Sequence, residues 1–186
     1  ENTDVEFLAM RLRRRLVPVK DLILDFGSFD PDRVIADIGE IRKFNRQRYE
    51  MEQLTAIVYL DPDRHICAGY KDVTNEEFWI RGHLPGMPLM PGVVMCETAA
   101  QMCSFYAGKY RLLGEHVVGF GGLEEVRFRD VVVPGDRLLI VAQMLKLRPN
   151  AMIVCRFQGF VRRNLVVEGK IKGIPLPASL RQNNTE

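Results

Sequence analysis

No stretch of the 186-residue chain reaches ~18 consecutive apolar residues, the length a helix needs to cross a bilayer. Stable membrane insertion is therefore not expected. The early arginines are not followed by an apolar run with a small-residue cleavage site, so no signal peptide is expected either. A cytoplasmic protein is the default. Charge of one sign is lacking as well. With a net charge of +2, the overall field calls for no polyanionic partner, and no nucleic acid is expected. The one basic cluster, Arg11, Arg13, Arg14 and Arg15, sits beside Leu12, Leu16 and Val17. It reads as a solvated helix end or as a contact for an acidic or membrane surface. Cysteine is sparse: Cys67, Cys96, Cys103 and Cys155, with no CxxC pair. The closest two lie about 10 Å apart along a helix axis, too far for one disulfide or metal. Buried free thiols in a reducing compartment are the expectation, and no metal is expected.

What is present is enough apolar sequence, 47%, to bury a core in one domain of ordinary size. Residues 29–180 are expected to form that domain, with 1–28 as an N-terminal extension and 181–186 as a frayed tail. Asp30-Pro31 has the form of a helix start, Asp30 as N-cap and Pro31 in the first turn. Val34, Ile35, Ile38 and Ile41 follow at helical spacing. Leu54 onward is rich in β-formers, Asp61-Pro62-Asp63 reads as a turn, and His65 to Val73 as a second strand. Residues Val93 to Leu113 read as one long helix stopped by Gly114. It is apolar on nearly all sides, so it should be buried. Val117 to Phe128 is strand-like, and Gly119, Gly121 and Gly122 suggest a bulge. Leu138 to Leu147, Met152 to Val161 and Leu165 to Ile174 are three more strands, divided by Pro149-Asn150 and Arg163-Asn164. One apolar helix among about six β-segments is an α+β pattern.

The stretch FWIRGHLPGMPLMPGVVMCETAAQ, residues 78–101, carries the chemistry. His83 sits in a Gly/Pro-rich loop, and histidine suits a general base near neutrality. Glu97 lies in the apolar helix, where a carboxyl can be kept protonated as an acid. Gly92 and Val93 open that helix, and their amides can donate to a developing oxyanion. With no side chain on Gly92, a carbonyl can come close to its backbone. Gln101 and Ser104 continue the polar stripe of Glu97 at i+4 and i+7. Each part has an ordinary alternative: a structural histidine, a glutamate paired with an arginine, a loop stiffened by Pro85, Pro88 and Pro91. Together they suit proton removal beside a carbonyl with an enolate-like transition state.

GHLPGMPLMPGVVMCETAAQ resembles the signature GHFPxxPxMPGxxxxExxAQ of the 3-hydroxyacyl-acyl-carrier-protein dehydratases, with Leu84 in place of phenylalanine. YKDVTNEEFWIRGH and FGGLEEVRFRDVVVPGDRL resemble two further segments of that family, so the likeness runs from about Tyr70 to Ile174. It implies a hot-dog fold, an antiparallel sheet wrapped around the long helix. It also implies a homodimer with sites shared between subunits, with trimers of dimers as a further assembly. His83 then removes the α-proton, Glu97 helps protonate the departing hydroxyl, and the amide of Gly92 holds the carbonyl. No cofactor is implied, because loss of water changes no oxidation state. The acidic acyl carrier protein is the implied partner, with Arg81, Arg127 and Arg129 as candidate contacts and Lys109 and Arg111 as weaker ones. Met90, Leu89, Phe120 and Phe105 are candidates for an acyl tunnel or for ordinary core. Residues 45–56, NRQRYEMEQLTA, lack the family's His-Arg and Pro-Phe pattern. A thioesterase or acyl-CoA hydratase on the same fold, or a non-catalytic acyl-binding partner, are the alternatives.

Overall fold

Six antiparallel strands and one long helix account for about half of residues 21–176, the part of the chain that the computed structural model describes. The strands are β1 (Ala56–Asp61), β2 (Ile66–Asp72), β3 (Val118–Phe128), β4 (Arg137–Arg148), β5 (Met152–Val161) and β6 (Asn164–Pro175). A four-residue helix α1 (Ile38–Ile41) precedes them, and the long helix α2 (Gly92–Lys109) falls between β2 and β3. The sheet order is β1-β2-β4-β5-β6-β3. The strands expected from alternation and turn residues all form. At the β1–β2 corner the Asp61 carboxylate accepts from the amides of Asp63 and Arg64, which closes the turn locally. Between β5 and β6 the turn residues are Arg162 and Arg163, at φ 48° and 70°, one position earlier than expected. Two left-handed residues match the twist of a two-residue hairpin. The glycines of β3 mark a real irregularity: its register to β6 shifts between Phe120 and Gly122, and again between Glu124 and Arg127.

Helix α2 lies in the concave side of the sheet and touches β2 through β6. Ala99, Met102 and Phe105 are wholly buried along it, and each large apolar side chain so placed contributes about 1.5–3 kcal/mol. The helix is shorter than expected. It ends at Lys109, not Leu113. The amide of Leu112 bonds back to Ala107 O and that of Arg111 to Gly108 O. This pairing satisfies the last carbonyls, with Arg111 at φ 52° in the left-handed position that glycine usually takes. Gly114 lies beyond it, in the following turn.

The helix expected to open at Asp30-Pro31 does not form. The Asp30 carboxylate accepts from the amide of Asp32 in a tight local turn. Val34 and Ile35 are 50% and 48% exposed. The backbone here does something else: Ile35 and Ala36 bond to Ile57 on the edge of β1. Pairing with an open strand edge wins over helical spacing. The helix starts later, capped by Asp37, whose carboxylate accepts from the Glu40 amide at 2.9 Å.

The outer face of the sheet is also covered. Ile23 and Leu24 are buried against Ala56, Val58, Ile66, Ala68, Val141 and Phe160. Phe26 meets Phe160 edge-on at 4.9 Å. The carboxamide of Gln158, buried in β5, accepts from the Ile23 amide and donates to Asp21 O, both at 2.9 Å. So Asp21 to Phe29 is strapped to the sheet. The arginine cluster at 11–15 and the tail at 181–186 lie outside the described residues. All four cysteines are buried and unbridged, as expected.

Replacing Gln158 with leucine leaves the Ile23 amide unpaired and removes one of the two donors to the Asp21 carbonyl, which keeps Arg156. The expected outcome is a loss of about 1–3 kcal/mol in urea unfolding, with faster proteolysis before residue 30.

Candidate active site

The loop that presents His83 hangs between two buried anchors, Trp79 and Met90. The His83 amide bonds to Trp79 O at 2.8 Å, and the Met90 amide to Val132 O at 2.8 Å. At its root Lys71 and Glu77 form a buried ion pair at 3.0 Å. The His83 ring is held by Nδ1 against Leu89 O at 2.9 Å. A carbonyl only accepts, so Nδ1 carries the proton in the neutral ring and Nε2 keeps its lone pair. That is the tautomer a general base needs.

Pro91 precedes α2 with extended backbone and makes no side-chain cap. Its carbonyl takes the amides of Val94 and Met95. Helix geometry leaves the amides of Gly92 and Val93 without an intrahelical acceptor. Val93 is 74% exposed, so this end of the helix faces outward. A methyl group on Gly92 would sit 2.7 Å from the Phe128 ring. A side chain here would force the exposed Phe128 ring to shift, and glycine also suits a carbonyl's approach.

Glu97 is half-buried in the second turn of α2 and borders two cavities. The outer one, about 170 Å³, is lined by Met51, Gln53, Phe78, Val93 and Val94 as well as Glu97. The inner one, about 90 Å³, follows α2 from Glu97 past Ala100 to Ser104, against β3, β5 and β6. Seven residues of helix make this path about 10 Å long. Carboxylate oxygen Oε1 accepts from Gln101 Nε2 at 2.8 Å and from Gln47 Nε2 at 3.3 Å. Gln101 is buried and fully used. Its Nε2 also donates to Met51 O, its Oε1 accepts from the Gln53 amide, and its backbone O accepts from Asn45 Nδ2.

The structure therefore joins Glu97 with Gln101, and places Val93 in a cavity wall with Glu97. It does not bring His83 to Glu97 within one chain, since His83 lines neither cavity. Gln47, Ile153 and Ile171 were not among the site residues expected from the sequence, and Cys155 was expected only as a buried thiol. Gln47 lies in the very stretch that departs from the family pattern. Of the tunnel candidates, Phe120 borders the inner cavity, whereas Met90 and Phe105 are core. The Cys103 thiol, also in the cavity wall, is held well above its usual value by a hydrogen bond to the Cys155 side chain and by burial. Burial pushes Cys96 up to about 11. Among the candidate carrier contacts, Arg81 and Arg127 are exposed. Arg129 is engaged by Glu168, Lys109 by Glu40 and the Phe44 ring, and Arg111 by Glu115.

An antiparallel sheet wrapped around one long helix is the hot-dog arrangement. The family model described as a FabA-like domain matches residues 45–170, and the chain belongs to that family. It is 35% identical over 138 residues to the 3-hydroxyacyl-[acyl-carrier-protein] dehydratase FabZ of Desulfotalea psychrophila, covering 73% of this chain and 90% of that one. It is 38% identical over 142 residues to the bifunctional enzyme LpxC/FabZ of Chlorobaculum tepidum, covering 74% of this chain but only 29% of that one. Among solved structures, the dehydratase heterocomplex ApeI:P from Xenorhabdus doucetiae shares the fold with a TM-score of 0.60 at 16% identity, over 75% of this chain and 92% of that one.

The contact between Gly92 and Phe128 can be tested by a double-mutant cycle. Gly92→Ala should cost about 1–3 kcal/mol in thermal unfolding through overpacking. Phe128→Ala in the same chain should recover much of that loss.

Proposed function

We propose that this protein dehydrates a 3-hydroxyacyl chain carried on acyl carrier protein, giving the trans-2-enoyl thioester. The single observation that carries the reading is the setting of Glu97. It is fixed by one oxygen between an outer and an inner cavity, beside the unpaired amides at the start of α2. The thioester enters through the outer cavity with its carbonyl toward the amides of Gly92 and Val93. The acyl tail follows the inner cavity along α2. His83 Nε2 takes the proton from C2, and the electron pair left behind forms the C2–C3 double bond. The C3–O bond breaks as the hydroxyl takes the proton of Glu97, and water leaves. Negative charge that gathers on the thioester oxygen is met by the helix-start amides. Proton exchange with solvent then restores His83 and Glu97. A Cys103 thiol that stays protonated is a poor nucleophile, so it does not add to the electrophilic enoyl product beside it.

The histidine comes from a second copy of the chain. Strand β3 is an open edge and carries exposed Phe120, Leu123 and Phe128. Phe128 lies against Gly92, and Val93 shares a cavity wall with exposed Phe78. This apolar surface runs from the strand edge to the mouth of the site, and two-fold pairing of β3 with β3 would cover it. The same symmetry would bring His83 of each chain toward Glu97 of the other. Arg81 and Arg127 are the preferred contacts for the acidic carrier.

The test is turnover of purified protein on 3-hydroxyacyl carrier substrate, read as enoyl absorbance and mass loss of one water. His83→Ala and Glu97→Ala should each lower kcat by about 10²–10⁴-fold. Unfolded together and refolded as a mixture, the two inactive variants should regain roughly a quarter of wild-type activity. Half the dimers are then mixed, and each mixed dimer holds one intact site of two. No regain would sink the shared site. Release of free carrier thiol would favour the thioesterase alternative.

A further inference from the structure

Glu97 Oε1 is saturated by two carboxamides from different parts of the chain. Gln101 reaches it from one turn along α2. Gln47 reaches it from the loop ahead of the 3-10 turn at Tyr49–Met51. That loop is tied down at several points. The Arg48 guanidinium donates to the carbonyls of Arg42, Asn45 and Gln47, at 3.2, 2.9 and 2.6 Å. Arg42 and Glu52 close its two ends with an ion pair at 2.6 Å. Asn45 Nδ2 fixes it to the backbone of α2 through Gln101 O at 3.0 Å. Gln47 lines the inner cavity beside Glu97, so its amide lies where the acyl chain must pass.

We propose that Gln47 is a positioning residue for the acid step: with Gln101 it occupies Oε1 and confines the transferable proton of Glu97 to Oε2. A carboxyl proton cannot lie on an oxygen whose lone pairs already face two N–H donors. A carboxamide N–H does not take up a proton near neutrality, so the two glutamines hold this arrangement without titrating. Among the described residues of one chain, no charged side chain other than Glu97 lines either cavity, and the other titratable groups there are Cys103 and Cys155; in the proposed dimer the histidine of the second copy joins them. Within its own chain, the contacts that orient the Glu97 carboxyl are both neutral carboxamide donors. The inference rests on Glu97 being the acid of the proposed reaction.

Two variants test it. Gln47→Met keeps the length and packing of the side chain and removes the donor. Its kcat should fall about tenfold with KM within about twofold, the pattern of an interaction realised in the transition state. Gln47→Glu sets a second carboxyl against the first, and two carboxyls share a proton. An acid loses activity as pH rises through its pKa, so the basic limb of the kcat profile should move up by about one pH unit. Wild-type kcat and pH profile in both variants would overturn the inference. So would a fall in kcat for Gln47→Met with no movement of the limb in Gln47→Glu, which marks Gln47 as loop packing only. Glu97→Gln, run in parallel, separates the two levels. If it keeps turnover, the acid assignment fails and the role of Gln47 fails with it. If it is inactive while the Gln47 variants match wild type, only the role of Gln47 is lost.

Discussion

A helix buried over most of its surface can carry polar groups there only where each of them is answered. That condition falls on Gln101 of α2 and shapes much of the site around it. Its carboxamide faces three acceptors and donors at once: Met51 O, the Gln53 amide and Glu97 Oε1. Leaving any of these unmet inside the core would cost about 1–3 kcal/mol. The loop from Asn45 to Gln53 is therefore pinned to the helix at the same residue that orients the carboxylate. Fold stability and site geometry draw on one set of hydrogen bonds.

The residues that were legible in the sequence are those whose reasons are local or periodic. Alternation and turn chemistry found β4, β5 and β6 almost to the residue, because turns at Pro149-Asn150 and close to Arg163-Asn164 divide them. The all-round apolar character of α2 signalled a wrapped helix. The three glycines of β3 signalled its bulge. His83, Glu97, Gly92 and Gln101 stood out because a polar group or a glycine in that setting needs a reason. What was hidden depends on partners distant in the chain. Asp30-Pro31 has every local mark of a helix start, but Ile35 and Ala36 had an open strand edge to bond. Arg111 could not be seen as the end of α2, since arginine seldom adopts left-handed backbone. Gln47 looks like any surface glutamine until the loop folds back onto Glu97.

The reach of the site also follows from how the two halves of its chemistry are mounted. Glu97 rides on a helix that supplies much of the core. His83 rides on a loop held at its ends by Trp79 and Met90, with exposed residues between. The proposed acid is thus fixed by the core, and the proposed base by a short clamp. Differences in substrate fit are more readily absorbed on the histidine side.

The strap from Asp21 to Phe29 has a consequence for how such a sheet can grow. A β-sheet has two faces and two rims through which it can meet another protein. Here the concave face holds α2, and the strap overlies part of the other. The rim at β1 is partly taken by Ile35 and Ala36. Most of the remaining hydrogen-bonding capacity of the sheet lies along β3. A sheet closed off in this way favours extension in one direction, and two copies that meet there use up the same rim on both.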